Sequence, residues 1–267
     1  MKPPGIDFGQ LYRDRVRDVQ RRERTPEYWD GRALNLRPDA FDSRYVRDFV
    51  ARVDVSGCQT LLDVGCGPGT IGLSLAPRLA HVYGLDYSPG MLAVFADHAR
   101  DRRLTNVTPI LRAWEADWSD VPVCDVVVAS RSTAVLDLEA ALVKLASKAR
   151  RRVYLTYPAD GHLGEDHVRR AIGRPSHALP DYLCVAGILH DLGVYPRLDY
   201  LDGENRLLHC PTFADFQEKV SGLLGELTPD ETARLRRYHD EQAGGVGPAP
   251  VRWALFWWEA RGEHAGL

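Results

Sequence analysis

Lysine is almost missing from this chain. Of its 34 basic residues only four are lysine (Lys2, Lys144, Lys148 and Lys219) and thirty are arginine. The bias reads as codon usage rather than chemistry. Thirty-seven acids oppose the bases, the net charge is −3, and no global field draws the 267-residue chain to nucleic acid. Paired cysteines are missing too. Cys58, Cys66, Cys124, Cys184 and Cys210 are scattered, odd in number and form no C-x-x-C, which argues against a disulfide framework and a cysteine zinc site. No apolar run reaches the length of a membrane span, and "MKPPGIDFGQLYRDRVRD" lacks the apolar stretch of a secretory signal. A reducing cytoplasm and no membrane partner are the expectation. Internal repeats and low-complexity tracts are also lacking.

What is present is alternation. "TLLDV", "HVYGLD", "VTPILRA", "CDVVVAS" and "RRVYLTYP" read as strands. "PGTIGLSLAPRLA", "SPGMLAVFADHAR" and "AVLDLEAALVKLASKA" read as helices between them, the last with Leu136, Ala140, Val143 and Leu145 among its apolar positions. Strand and helix in turn imply a parallel sheet with right-handed crossovers. The apolar, non-alternating "CDVVVAS" suits a strand covered on both faces. Before this core, Phe41, Tyr45, Phe49 and Val53 recur at helical spacing, with a cap expected near Asp42 or Ser43. After it, Arg197 to Cys210 reads as a hairpin turning at Asp202-Gly203. Phe213 to Leu224 and Pro229 to Gln242 read as helices, and "VRWALFWWEA" as a final, antiparallel strand.

The informative stretch is "TLLDVGCGPGT", Thr60 to Thr70. Its spacing is Gly65-x-Gly67-x-Gly69. Thr70 stands where a dinucleotide fingerprint wants its third Gly or an Ala, and no Gly-Lys-Ser/Thr follows to cradle phosphates. Pro68 can open the next helix, where its missing N–H costs nothing. Asp63, at the C-terminal edge of a strand, would repel a pyrophosphate but suits a cationic amino group. Asp86 closes the second strand 21 residues beyond Gly65, the distance at which an acid accepts hydrogen bonds from ribose hydroxyls. The pair describes a ligand with a ribose and a positive charge but no phosphates. A dinucleotide site, or a degenerate fold with no ligand, fits the two acids and Thr70 less well.

"LLDVGCGPGT" and "YGLDYSPGML" resemble the first two signatures of the class I S-adenosylmethionine-dependent methyltransferases, over roughly residues 55–157. The resemblance implies a Rossmann-like, doubly wound, mostly parallel seven-stranded α/β sheet with an antiparallel last strand, plus helical cap segments. Outside that stretch the resemblance is weaker, and the residue pattern there is read as an N-terminal helical lid over 1–54 and a methyltransferase domain over 55–267 with a cap insertion at about 158–195 and a helical insertion at about 212–242. The cofactor implied is S-adenosylmethionine. Gly65, Cys66, Gly67 and Gly69 would form the turn under its methionine part, with Asp63 near the amino group. Asp86 would take the ribose hydroxyls, and Tyr87 and Met91 would flank the adenine. Glu115 or Asp117 would approach the adenine amino group, Asp117 being the choice with the register open, and Trp114 would pack on the ring. "ASRS", Ala129 to Ser132, would border the sulfonium and the acceptor, with Ser130 taken as the cofactor contact. The Asn/Asp-Pro-Pro-aromatic motif of many N-methylating members is missing there, which puts amide or adenine N-methylation in doubt.

The expected activity is methyl transfer to a small-molecule acceptor, with Pro26 to Tyr45 and Gly161 to Tyr195 covering the pocket. Methyl transfer asks chiefly for alignment and a dry pocket, so no catalytic residue is assigned. The alternatives are an RNA or protein methyltransferase, which would want a basic face or a recognition module, and a catalytically silent cofactor-binding partner subunit. His162, His167 and His177, with Glu165 and Asp166, fall in one long connection. Loop histidines are commonly just solvated, so no metal is expected. Neither the acceptor nor the oligomeric state is readable.

Overall fold

The apolar runs become strands because two helical layers cover them. In the computed structural model, β1 (Thr60–Val64), β2 (His81–Asp86), β3 (Val107–Leu111), β4 (Cys124–Ala129) and β5 (Ala149–Pro158) pair in parallel. With β6 (Arg197–Gly203) and β7 (Val251–Glu259) they form one sheet of order β3-β2-β1-β4-β5-β7-β6. β7 runs antiparallel to both its neighbours. The structure describes residues 5–18, 25–33, 40–159, 166–175, 180–203, 210, 212–243 and 251–260.

One face of the sheet is covered by α1 (Phe8–Asp18), α6 (Leu138–Ser147) and α8 (Tyr182–Asp191). Tyr12, Leu142, Val185 and Ile188 pack there against Leu62, Val127 and Phe256. The other face carries α3 (Arg44–Arg52), α4 (Gly72–Leu75) and α5 (Pro89–Asp101). Tyr45, Phe49 and Leu75 meet Leu61, Val126, Val128 and Leu255 there. Adjacent Leu61 and Leu62 thus serve opposite layers, as the pleat of a strand requires. Ser43 caps α3 by accepting from the Val46 N–H, and Asp137 caps α6 by accepting from the Ala140 N–H. A satellite core of Val168, Ile172, Phe216, Val220 and Leu235 joins α7 (Asp166–Ile172), α9 (Phe213–Leu224) and α10 (Pro229–Ala243). Arg174 bridges to Glu231 at 2.6 Å beside it and holds that carboxyl down to about 2. The remaining helix, α2 (Pro26–Ala33), lies against α5.

Several sequence expectations are corrected. Asp202 and Gly203 are no turn: both lie in β6, paired with Arg252 and Val251 of β7. Antiparallel pairing with a distant aromatic strand outweighs the local turn signal; residues 204–209 of the expected hairpin lie outside the described residues. α4 is a single turn, followed by a 3-10 turn at Ala76–Arg78 that contains Pro77. Pro68 does not open a helix, because the chain stays in the glycine turn until Gly72. On α6 the buried positions are Leu138, Ala141, Leu142 and Leu145, while Leu136 and Val143 are exposed. Within the expected 158–195 cap, α8 is buried on the sheet as part of the main core. Within the expected N-terminal lid, α1 buries Tyr12 and α3 buries Phe49 in that core. Two of the four lysines are structural ties. Lys144 Nζ donates to the Trp114 and Ala116 carbonyls, and Lys148 Nζ to those of Trp118 and Val121, fastening the 112–123 connection to the α6 region.

Candidate functional site

The site grows from the carboxyl ends of β1 and β2. Gly65, Gly67 and Gly69 all hold positive φ, at 64°, 52° and 86°. Their surroundings differ. A Cβ on Gly65 would lie 2.3 Å from Ser132 Cβ, and one on Gly69 would lie 2.6 Å from Phe95. A Cβ on Gly67 would meet only Met91 Sδ, at 3.9 Å. The outer two glycines serve internal packing, and Gly67 alone leaves bare backbone facing open space. The N–H groups of Gly65 and Cys66 both donate to the Leu85 carbonyl, at 2.7 and 3.0 Å, which fixes the turn against β2. The Cys66 side chain packs inward with Phe41, Leu73 and Phe95, and its thiol donates to the Gly67 carbonyl at 3.6 Å. Burial pushes its thiol well above the usual range.

Two carboxylates close this end. Asp63 is buried and its Oδ2 accepts the Gly72 N–H at 2.8 Å. Burial, opposed by that bond and reinforced by Asp86, raises it to about 7. Asp86 accepts the Gly67 N–H on Oδ2 at 2.8 Å and the Ser88 N–H on Oδ1 at 3.0 Å. Burial raises it too, and the nearby Asp30 carboxylate adds to the shift. The Tyr87 N–H bonds this carboxylate as well, and about four lone-pair sites leave it room for a further donor. Asp30, on α2, accepts the Ser88 hydroxyl at 2.6 Å and the Gly90 N–H at 2.8 Å, so the N-terminal segment caps the start of α5 beside Asp86. Tyr87 is half-buried next to Asp86, and Met91 is buried in the first turn of α5.

A second group gathers at the ends of β4 and β5. The buried Tyr45 hydroxyl shares hydrogen bonds with Ser130 Oγ at 2.8 Å and Thr156 Oγ1 at 2.7 Å, and burial raises its pKa. The Arg131 N–H donates to Thr156 Oγ1, and Ser132 Oγ donates to the Val64 carbonyl. Trp114 Nε1 donates to the Ser132 carbonyl at 3.1 Å, so this indole spans from the end of β3 to the loop after β4. Trp114 also packs on Trp118, with ring centroids 5.4 Å apart. Asp117 lies exposed in a local turn, accepting the N–H and hydroxyl of Ser119, and Glu115 is exposed as well. The expected residues Asp63, Gly65, Gly67, Asp86 and Met91 meet around the turn. Ser130 and Trp114 belong to the second group, and Asp117 bonds only within its own loop. Arg131 and Ser132 fall within the expected "ASRS" segment and Asp30 within the expected Pro26 to Tyr45 cover, while Thr156 was missed. Tyr45 was expected both as an apolar helix position, from its spacing with Phe49 and Val53, and as the last residue of the pocket cover.

Among the described residues no cluster of His, Cys, Asp and Glu could hold a metal, and no helix is long and apolar enough to cross a membrane. His162, Glu165 and His177 lie outside the described residues, while Asp166 and His167 sit in α7.

Residues 61–153 match the family model of a methyltransferase domain. An uncharacterized protein of Haemophilus influenzae is 33% identical over 258 residues, covering 95% of this chain and 96% of that one. Magnesium protoporphyrin IX methyltransferase from Synechocystis PCC 6803, solved with bound SAH, superposes with a TM-score of 0.55 at 17% identity, covering 95% of this chain and 96% of its own. Coclaurine N-methyltransferase bound to N-methylheliamine and SAH gives 0.56 at 13%, covering 96% and 89%. The doubly wound sheet with its antiparallel β7 is the fold these structures share. The chain belongs to the class I S-adenosylmethionine-dependent methyltransferases.

Proposed function

We propose that this chain transfers the methyl group of S-adenosylmethionine to a small-molecule acceptor. The observation that carries the reading is the pair of buried acids, Asp63 and Asp86, beside the bare backbone of Gly67. Burial of two carboxylates is costly unless a cation joins them, and their raised pKa values report that cost. A ligand with a ribose, an amino group and a sulfonium meets each demand. Asp86 offers its remaining acceptor positions to the ribose hydroxyls. Asp63 stands near the amino group, and Gly65, Cys66, Gly67 and Gly69 shape the turn under the methionine. Tyr87 and Met91 border the adenine, with Asp117 assigned its amino group. Trp114 packs on the adenine ring, and Ser130 borders the sulfonium side.

The bound cofactor supplies an electrophilic methyl group. The chain's part is to orient it, exclude water and aim the acceptor in line. Tyr45, with its pKa raised, stays protonated and serves as a hydrogen-bonding group rather than a base. The small-molecule acceptor is supported by a net charge of −3, which offers no general attraction to a nucleic acid. The names of the two solved relatives above also denote enzymes of small molecules. A cytoplasmic setting suits the five free cysteines, four of them buried.

Calorimetric titration with S-adenosylmethionine and with NAD tests the reading. The sulfonium compound alone should bind, and Asp86→Ala should weaken it on the order of tenfold to a hundredfold, the worth of charge-assisted hydrogen bonds. Preference for NAD, or no binding, sinks it. Methyl-labelled cofactor in cell extract should place label in the low-mass fraction; label in RNA or protein would instead overturn the small-molecule acceptor.

A further inference from the structure

Among the described residues two that are not glycine hold a left-handed backbone, Arg103 at φ 57° and Arg131 at φ 58°. The first is explained by its place. It lies just past α5, where Leu104 N–H bonds the Ala99 carbonyl and Arg103 N–H bonds that of Arg100, the hydrogen-bond pattern that closes a helix. Arg131 ends no helix. It stands two residues past the end of β4, in the crevice at the carboxyl ends of the strands where open α/β sheets bind ligands. A strained residue held there is a pointer to function.

The surroundings hold it firmly. Its N–H is bonded to Thr156 Oγ1 at 3.0 Å, Ser130 before it is bonded to Tyr45, and Ser132 after it is bonded to Val64 and packed against Gly65. The guanidinium lies 4.3 Å from the centroid of the Tyr45 ring. Arg131 is exposed, and among the described residues no carboxylate forms an ion pair with it. The buried acids close β1 and β2, and this cation stands across the edge from them, after β4.

A fixed cation beside a site for a sulfonium is repelled by it unless an anion lies between. We infer that Arg131 is the counter-charge for the acceptor, and that the acceptor is a small molecule bearing a carboxylate or phosphate group. A guanidinium takes either through two parallel N–H donors. Tyr45 supports the guanidinium through its ring and ties it to β5 through Thr156. This deepens the methyl-transfer reading and rests on it.

The test uses the whole protein, methyl-labelled cofactor and low-mass cell extract separated on an anion exchanger at pH 8 before the reaction. Acceptor activity is expected in the retained fraction. Phosphatase treatment of that fraction abolishes it if the group is a phosphate ester and spares it if it is a carboxylate. Arg131→Gln should raise the KM for the retained fraction tenfold or more, while calorimetric affinity for S-adenosylhomocysteine stays within threefold; Arg131→Lys should recover part of the loss. Arg131→Gly suits the left-handed backbone, so it should unfold no lower than the wild type and still lose acceptor use. Acceptor activity in the unretained fraction, or an unchanged KM in Arg131→Gln, overturns the inference. Lost cofactor affinity in that variant overturns it too. A wild-type protein that does not bind S-adenosylhomocysteine fails the methyl-transfer reading itself, and the calorimetric baseline tells the two failures apart.

Discussion

The two sides of the strand-end edge are built by different means. On the β1–β2 side the partners are near in sequence and much of the work is done by backbone. Gly67, Gly72 and Ser88 offer N–H groups, and Asp63 and Asp86 accept them. On the β4–β5 side the contacts are between side chains drawn from afar: Tyr45 lies 85 residues from Ser130 and 111 from Thr156. The first side is a local motif that any sequence carrying it can form. The second exists only once α3 has docked on the sheet. A side proposed to hold a shared cofactor can rest on the former, and a side proposed to select one acceptor on the latter.

The strongest break of the local side is Gly65→Ala. The substitution asks a residue with a Cβ to keep a φ of 64° and to enter 2.3 Å from Ser132 Cβ. Strain and overpacking together should cost about 3 kcal/mol in denaturant unfolding and abolish cofactor binding. Because Ser132 belongs to the β4–β5 group, this variant also damages the other side. An unfolding midpoint equal to the wild type would mean that the two sides are not in contact as described.

Titration gives a smaller effect confined to the β1–β2 side. Asp63 ionises near 3.8 ordinarily and near 7 in the folded chain. Between about pH 4 and 7 the folded state therefore holds a proton that the unfolded state has released. Stability should fall as pH rises through that window and level off above it. A cationic ligand favours the ionised acid, so cofactor affinity should rise with pH up to about 7, by at most about tenfold per unit. Asp63→Asn should flatten both profiles near neutrality. Affinity independent of pH between 5 and 8 would show that the ligand does not draw on this carboxylate.

The smallest effect sharpens the boundary between the halves. Asp30→Ala removes the contact of α2 with Ser88 and Gly90. Loss of such a cap is worth about 1 kcal/mol, and cofactor affinity should drop severalfold while the Tyr45 network is untouched. Unchanged affinity would place α2 outside the cofactor's cover.

Much of the fold could be read because its causes are local. The strand positions followed from apolar runs and α3 from helical spacing and a cap, and the segments read as helices at Phe213 to Leu224 and Pro229 to Gln242 are α9 and α10. The misreadings came where tertiary pairing overrode a local signal. Asp202-Gly203 looks like a turn in isolation but is held straight by β7. Leu136 looks like a core position but precedes the Asp137 cap of α6 and stays exposed. At the site, Asp63 and Asp86 were legible because strand ends and glycine spacing fix them. Tyr45 was legible as an apolar helix position and as the end of the pocket cover, but its partners Ser130 and Thr156 were not, because nothing in a sequence tells which strand ends a helical tyrosine reaches.

By itself the sequence determined the alternating α/β order, the bend at Gly65 to Gly69 and the two acids that flank it. These depend on φ, on strand periodicity and on spacings within some twenty residues. Only the tertiary structure decided that α8 and α1 belong to the core, that α2 caps α5, and that Tyr45, Arg131 and Thr156 meet. Those outcomes depend on which apolar faces find each other when the layers close on the sheet. Burial is proportional to area and is not directional, so one-dimensional patterning reports that a face will be covered without reporting by what.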